Sequence, residues 1–192
     1  SDGSNGMTLT GLAAGIYSVV VTDAKGCSLT ELVDIADFAA PILDTVVEQI
    51  TCNGAGDGSI SASLLGGGAV SGYLWSTGTT GTGISNLGVG AYDLSLLYGN
   101  GQCTLNYTFQ INEPPALQAN DAQLSPALCF GDSTGSIAVT PAGGVGPYQF
   151  LWSNAQTTPM LENLPAGNYP LTLSDANGCT ATAIFAVSQP DP

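Results

Sequence analysis

Apolar and polar residues alternate in short runs, as in Ser59-Ile60-Ser61-Ala62-Ser63-Leu64, Ser136-Ile137-Ala138-Val139, Tyr148-Gln149-Phe150-Leu151-Trp152 and Tyr17-Ser18-Val19-Val20-Val21. A period of two gives an extended segment one apolar face, so each run predicts a half-buried strand. Asp-Ala-Asn-Gly at 175–178 separates two such runs, and Asn-Gly readily takes the positive φ of a tight turn, so a hairpin is expected there. Many short strands at even spacing predict an all-β chain of antiparallel, immunoglobulin-like sandwiches.

The pattern recurs. Cys52 and Cys129, Trp75 and Trp152, and Tyr92 and Tyr169 each stand 77 residues apart, a period longer than a solenoid unit, so each copy should own a core. A partial copy leads the chain: Leu12, Gly15, Tyr17, Asp23, Gly26 and Cys27 match Leu164, Gly167, Tyr169, Asp175, Gly178 and Cys179. The middle copy has Tyr98 where the others have Asp. Ser1 precedes Leu12 by as many residues as Ser76 precedes Leu87 and Ser153 precedes Leu164, so the first copy lacks its front half.

Prolines mark the boundaries at Pro41, Pro114-Pro115 and Pro190, giving a half module over 1–40 and complete modules over 41–114 and 115–192. Consecutive prolines hold a linker extended, which favours a semi-rigid rod. Leu32, Val33, Ala36, Val46, Val47 and Ile50 also fit a mild helical pattern. The period-2 order of Phe109 and Ile111, and of Ile184, Phe185 and Val187, instead marks residues 28–38 as the last strand of the first module.

Leu-x-x-Gly-x-Tyr occurs three times, ending at Tyr17, Tyr92 and Tyr169. In immunoglobulin-like sandwiches such a tyrosine turns its hydroxyl back onto the preceding corner. Trp75 and Trp152 end a strand that follows a Gly-Gly loop, where a core tryptophan is expected.

The five cysteines fall into two classes: Cys52 and Cys129 precede the second strand, whereas Cys27, Cys103 and Cys179 follow the last hairpin turn. No Cys-x-x-Cys pair and no histidine accompany them, so disulfides in an oxidising compartment are the expected chemistry. Two pairing schemes are open. One closes each module on itself, as Cys52–Cys103 and Cys129–Cys179, and leaves Cys27 for the missing front half. The other starts from the length of a sandwich, about 20 Å or more, which separates the two classes within a module beyond the roughly 7 Å a disulfide spans. It joins neighbouring modules instead, as Cys52–Cys179.

Composition then narrows the chemistry. The 192 residues carry 15 acidic side chains against one base, Lys25, for a net charge of −14, with no Arg or His. One cation cannot engage a phosphate backbone, so nucleic acid is excluded as a partner, and no apolar run reaches the roughly 18 residues of a membrane span. The fragment is expected to be soluble, with any export signal or anchor outside it. Histidine-based catalysis and His-ligated zinc are excluded as well. The carboxylates form no recognisable acid–base pair, and the chain is expected not to be an enzyme. Asp23, Asp57, Asp132 and Asp175, in Gly-rich loops, are candidates for Ca2+ at module junctions, although no Asp-x-Asp-x-Asp loop is present. Tyr73, Tyr98, Tyr107 and Tyr148 are candidates for stacking on a surface polysaccharide.

Cys-Asn-Gly at 52–54, Asp-Gly-Ser-Ile at 57–60, Gly-Pro-Tyr at 146–148, Trp-Ser-Asn at 152–154, Asn-Leu-x-x-Gly-x-Tyr at 163–169 and Asp-Ala-Asn-Gly-Cys at 175–179 occur in a specific order. Taken together they resemble the SprB-type repeat of very large surface adhesins of gliding bacteria. The resemblance spans essentially the whole chain. It implies export by the type IX system, display at the cell surface in tandem arrays, and a role in adhesion or motility, with neighbouring repeats or self-association as the partners. No catalytic residue travels with such repeats. Asp44-Thr45-Val46 and Asp132-Ser133-Thr134 look like the O-glycan acceptor triplet of exported proteins in such bacteria, which makes Thr45 and Ser133 candidate acceptors. Asn106-Tyr107-Thr108 fits the N-glycan pattern within a predicted strand.

Overall fold

The structure is a computed structural model that describes residues 6–192. Residues 1–5, the start of the expected half module, lie outside it. Among the described residues every regular element is a strand. The first two, β1 (Gly15–Thr22) and β2 (Ser28–Ile35), form an antiparallel hairpin with Tyr17 opposite Val33. The helical pattern over 29–50 is overridden: residues 28–35 are extended. Strand β2 stops at Ile35, short of residue 38, because the chain leaves the hairpin and Phe38 packs on Gly99.

Six strands follow: β3 (Ile42–Glu48), β4 (Gly58–Gly66), β5 (Val70–Trp75), β6 (Gly83–Leu87), β7 (Gly90–Tyr98) and β8 (Cys103–Ile111). They form two three-stranded sheets in the orders β3-β4-β6 and β5-β7-β8, with every neighbouring pair antiparallel. In immunoglobulin lettering these are the sheets A-B-E and C-F-G, the Greek-key arrangement of the fold with strand D absent. The next six strands repeat it: β9 (Ala122–Ser125), β10 (Gly135–Val139), β11 (Gln149–Trp152), β12 (Met160–Leu164), β13 (Gly167–Ser174) and β14 (Thr180–Val187) give β9-β10-β12 and β11-β13-β14. By the same correspondence β1 and β2 are strands F and G.

Each pair of sheets encloses its own apolar cluster. In the first, Ile60, Trp75, Ile84, Leu94 and Ile111 are buried together; in the second, Ile137, Trp152, Leu161, Leu171 and Val187 are. Strand alternation produces this, since in β7 Leu94 and Leu96 turn inward while Asp93 faces out. Both tryptophans sit on strand C, 1% and 2% exposed, and tilt against Phe109 and Phe185.

The second strand of each sandwich opens on a glycine for a steric reason. A Cβ on Gly58 would lie 2.9 Å from Ile111 Cγ2 and 3.1 Å from Leu87 O; one on Gly135 would lie 2.5 Å from Val187 Cγ1 and 3.0 Å from Leu164 O. Strands B, E and G therefore converge there more closely than any side chain allows.

Candidate functional site

The two sandwiches meet where the A–B loop of the first faces the F–G turn of the second, and a disulfide crosses between them. Cys52 and Cys179, 127 residues apart in sequence, are bonded with their Cα atoms 5.6 Å apart. Of the two pairing schemes, the one that joins neighbouring modules holds here. Beside the bond, Asn177 Nδ2 donates to Thr51 O at 2.8 Å. On the first sandwich, Asn53 Nδ2 donates to Pro114 O at 3.1 Å and Gly54 N donates to Glu113 Oε2 at 2.6 Å, which fixes the A–B loop against the linker. A shallow cleft of about 400 Å3 lies at this seam, lined by Cys52, Asn53, Ala116, Leu117, Gly178, Cys179 and Thr180.

The turn that presents Cys179 is built by Asp175. Its Oδ1 accepts from Asn177 N at 3.0 Å and Cys179 N at 2.9 Å, and its Oδ2 accepts from Val145 N at 2.9 Å. Burial pushes the Asp175 carboxyl up, but the backbone N–H groups of Val145, Cys179, Asn177 and Gly178 outweigh burial, and it sits below the ordinary carboxylate value. The first hairpin has the same turn, with Asp23 Oδ1 accepting from Lys25 N and Cys27 N, both at 2.8 Å. The middle copy, with Tyr98 in place of Asp, uses a turn one residue longer. There burial raises the Tyr98 hydroxyl, helped by Cys103 and Asp37.

The A–B loops repeat as well. Thr51 N and Oγ1 donate to Asp57, holding its carboxyl low, while Leu128 N donates to Thr134 Oγ1 at 2.8 Å in the equivalent loop. Gly131 N donates to Gln189 Oε1 at 3.0 Å as Gly54 N does to Glu113. The linkers cross Gly-Gly loops closely: a Cβ on Gly67 or Gly68 would strike the Ala40 or Ala39 carbonyl, and one on Gly143 that of Ala116.

The corner tyrosines all donate as expected of the motif: Tyr17 Oη to Ala13 O at 2.9 Å, Tyr92 to Gly88 O at 3.1 Å and Tyr169 to Pro165 O at 2.8 Å. Trp75 Nε1 donates to Gly81 O and Trp152 Nε1 to Thr158 O, satisfying the only polar atom each ring carries inside. Cys27, Cys103 and Cys129 are free thiols in this chain, Cys27 and Cys129 exposed and Cys103 half-buried.

The remaining candidates are dispersed. Tyr73 and Tyr107 pack on the first core and Tyr148 on the second, where its hydroxyl donates to Gly143 O at 2.7 Å; Tyr98 is half-buried. They form no common aromatic face. Asp23, Asp57 and Asp175 spend carboxylate oxygens on donors of their own loops, Asp132 sits in the A–B loop of the second sandwich, and among the described residues no three His, Cys, Asp or Glu side chains converge as a metal site would. Thr45 lies in β3 on the side of Leu43 and Val47, half-buried toward the core, whereas Ser133 is exposed in a loop. Asn106 is exposed in β8, its Oδ1 accepting from Ser95 Oγ. Residues that sequence reasoning misses are Thr51, Asn177, Glu113 and the linker-facing glycines. The paired recurrence of Gly54 with Glu113 and of Gly131 with Gln189 is the signal that finds the first contact.

Comparison with known proteins gives one family. The profile of the SprB repeat matches residues 45–80 and 122–157, one segment in each complete sandwich, as the motif resemblance leads one to expect. No curated protein matches the sequence significantly. Among solved structures, the N-terminal eight immunoglobulin domains of Down syndrome cell adhesion molecule superpose with a TM-score of 0.44 at 12% identity, covering 93% of this chain and 28% of that one. A C-terminal fragment of intimin, solved with the intimin-binding domain of its translocated receptor, superposes at 0.41 and 12% identity, covering 80% of this chain and 64% of that one. The BSP domain of a biofilm-associated protein gives 0.26 at 18% identity, with 77% and 30% covered. The chain thus spans less than two thirds of the first two. The immunoglobulin-like assignment rests on the A-B-E and C-F-G strand orders, not on these scores.

Proposed function

We propose that the chain is a structural and adhesive repeat segment of a large secreted cell-surface protein, forming part of a stalk or extracellular filament used in adhesion or gliding motility. The observation that carries this reading is the disulfide between consecutive SprB-type sandwiches, a bond that serves the continuity of an array and offers nothing to a substrate. It also suits an oxidising, extracellular setting. The modules are non-catalytic, and their partners are neighbouring repeats, of the same chain or of others. The hydroxyl-rich, weakly charged surface with its net charge of −14 keeps such an array soluble by mutual repulsion. Export through the type IX route belongs to this reading.

Immunogold labelling of the producing cells with antibody to the purified chain tests it. Label is expected on extended material outside the cell, and cells lacking the repeats are expected to lose attachment or movement on a surface. Label confined to the cell interior refutes the proposal.

A further inference from the structure

The β1–β2 hairpin carries the core-facing pattern of strands F and G, yet among the described residues it forms a two-stranded sheet of its own and joins neither buried core cluster. Val19 and Val21 occupy the positions of Leu94 and Leu96, and of Leu171 and Leu173. The latter four are at most 1% exposed, while Val19 and Val21 are 45% and 63% exposed. Val33, opposite Tyr17, stands where Phe109 and Phe185 cover the tryptophans, and is 45% exposed.

A second observation lies just before the hairpin. Residues 8–12, Thr-Leu-Thr-Gly-Leu, align with strand E of both sandwiches, Leu9 with Ile84 and Leu161, and Leu12 with Leu87 and Leu164. Gly11 holds φ +73, as Asn86 and Asn163 hold 57 and 54. Yet no strand forms there. In both sandwiches strand E pairs with strand B alone, so without a B strand residues 8–12 have no ladder to join.

A third is Cys103. It occupies the F–G position of Cys179, and Cys179 is bonded to the A–B loop cysteine of the preceding module. The β1–β2 hairpin stands ahead of the sandwich that carries Cys103, and among the described residues no A–B loop precedes that hairpin.

All three gaps have one filler. We infer that the apolar face of β1–β2 takes strands A, B and C of an SprB-type repeat, a segment equivalent to residues 115–152, and that the cysteine in its A–B loop bonds to Cys103. Strand B then pairs with residues 8–12, strand C pairs with β1, and the sulfur reaches Cys103 as Cys52 reaches Cys179. The bond forms by oxidation of two thiols, which release two protons and two electrons to the disulfide-forming oxidants of an exported protein's compartment. The inference rests on the reading of the chain as an array of like repeats. Its readout is folding, so a failed adhesion assay leaves it standing and its own failure leaves adhesion standing.

Ser1 aligns with Ser153 and with Ser76, so two extended chains test it, one with residues 115–152 joined ahead of Ser1 and one with residues 41–75 there. Each is compared with the 192-residue chain by hydrogen exchange, thiol titration and unreduced peptide mapping. Amide exchange over residues 15–35 is expected to slow by roughly a hundredfold or more in both extended chains. Free thiols are expected to fall from the three of the parent, Cys27, Cys103 and Cys129, to two, with Cys103 linked to the added cysteine. Changing that added cysteine to serine is expected to keep the protection and lose the bond. If both extensions leave the hairpin exchanging as in the parent, the inference falls, because each covers an equivalent hairpin in its own module. It also falls if the parent chain sediments as a dimer with the hairpin already protected, since a second copy is then the occupant.

Discussion

Replacing Cys52 and Cys179 together by serine removes the intermodule bond without leaving an unpaired thiol. The bond closes 127 residues, and the loss of chain entropy in the unfolded state from a loop of that length is about 5 kcal/mol at 25 °C. For a cooperative unit of about 150 residues each kcal/mol moves the melting midpoint by about 2–4 °C, so a fall of about 10–20 °C is expected if the two sandwiches melt together. Calorimetry of parent and double variant, both fully oxidised, measures it. Size alone does not discriminate between pairing schemes. A bond within one module, closing about 50 residues, is worth about 4 kcal/mol because the dependence on length is logarithmic. The discriminating feature is which module responds. An intermodule bond stabilises both sandwiches, so the variant is expected to melt earlier throughout and to resolve into two transitions. A Cys129–Cys179 peptide in the unreduced parent, or a midpoint lowered by less than about 3 °C, rules out a stabilising bond between the two sandwiches.

Trp152→Ala removes a ring that is 2% exposed and packed on Phe185, so a loss of about 3–5 kcal/mol in urea unfolding is expected; a loss under about 1 kcal/mol places the ring outside the core. Tyr92→Phe and Tyr169→Phe delete only the corner hydrogen bonds, and each is expected to cost about 0.5–1.5 kcal/mol, while the corresponding alanines cost several times more; equal losses reject the corner role. Asp175 has a folded pKa below its unfolded value of about 3.9, so its stabilisation is complete above that value and is lost as pH falls through the lower folded one. Melting midpoints between pH 5 and 2 are expected to fall more steeply for the parent than for Asp175→Asn, and parallel slopes contradict this. Single-molecule pulling on the chain ends is expected to release roughly 430 Å more contour length after reduction, from the 127 residues the bond closes. An oxidised chain that extends as far as the reduced one shows the bond absent.

Strand content and the two cores are legible in the sequence because period-2 alternation reports on a surface half-buried along its length, and Trp75, Trp152 and the corner tyrosines mark fixed places in such a sandwich. The alternation says nothing of how one sandwich meets the next. That depends on backbone approach at the linker, where Gly67, Gly68 and Gly143 let the Ala39, Ala40 and Ala116 carbonyls pass, and glycines leave no pattern beyond their presence. The cysteine pairing is therefore open until the F–G turn of one module is seen beside the A–B loop of another. The side of Thr45 is readable in retrospect, since it shares parity with Leu43 and Val47, but a three-residue acceptor motif carries no parity. The end of β2 at Ile35 is not readable, because Phe38 serves the neighbouring module and has the same hydropathy as a strand residue.

The bond changes what tension does to such a chain, and this follows from covalent connectivity alone. Force entering near residue 6 and leaving near Pro192 has two covalent routes between Cys52 and Cys179, one through both hydrophobic cores and one across the two sulfur atoms. The sulfur route is far shorter, so residues 53–178 lie in a closed loop that cannot be drawn out. The β1–β2 hairpin, ahead of the loop, can open on itself, and of the two bonded sandwiches only β3 and β14 lie outside the loop, left to be peeled from β4 and β13. Those strands are long, with seven and eight residues, and each hydrogen-bonds to a strand inside the loop, whose own ends the bond restrains. Cys103 and Cys129 fall within the loop closed by Cys52 and Cys179, so with the bond inferred for Cys103, and a like bond from Cys129 to a following repeat, successive loops would overlap. A sandwich placed inside an array would then have both tryptophan-centred packing and two overlapping covalent closures against extension, while the Pro-containing linkers between modules bear none of the load.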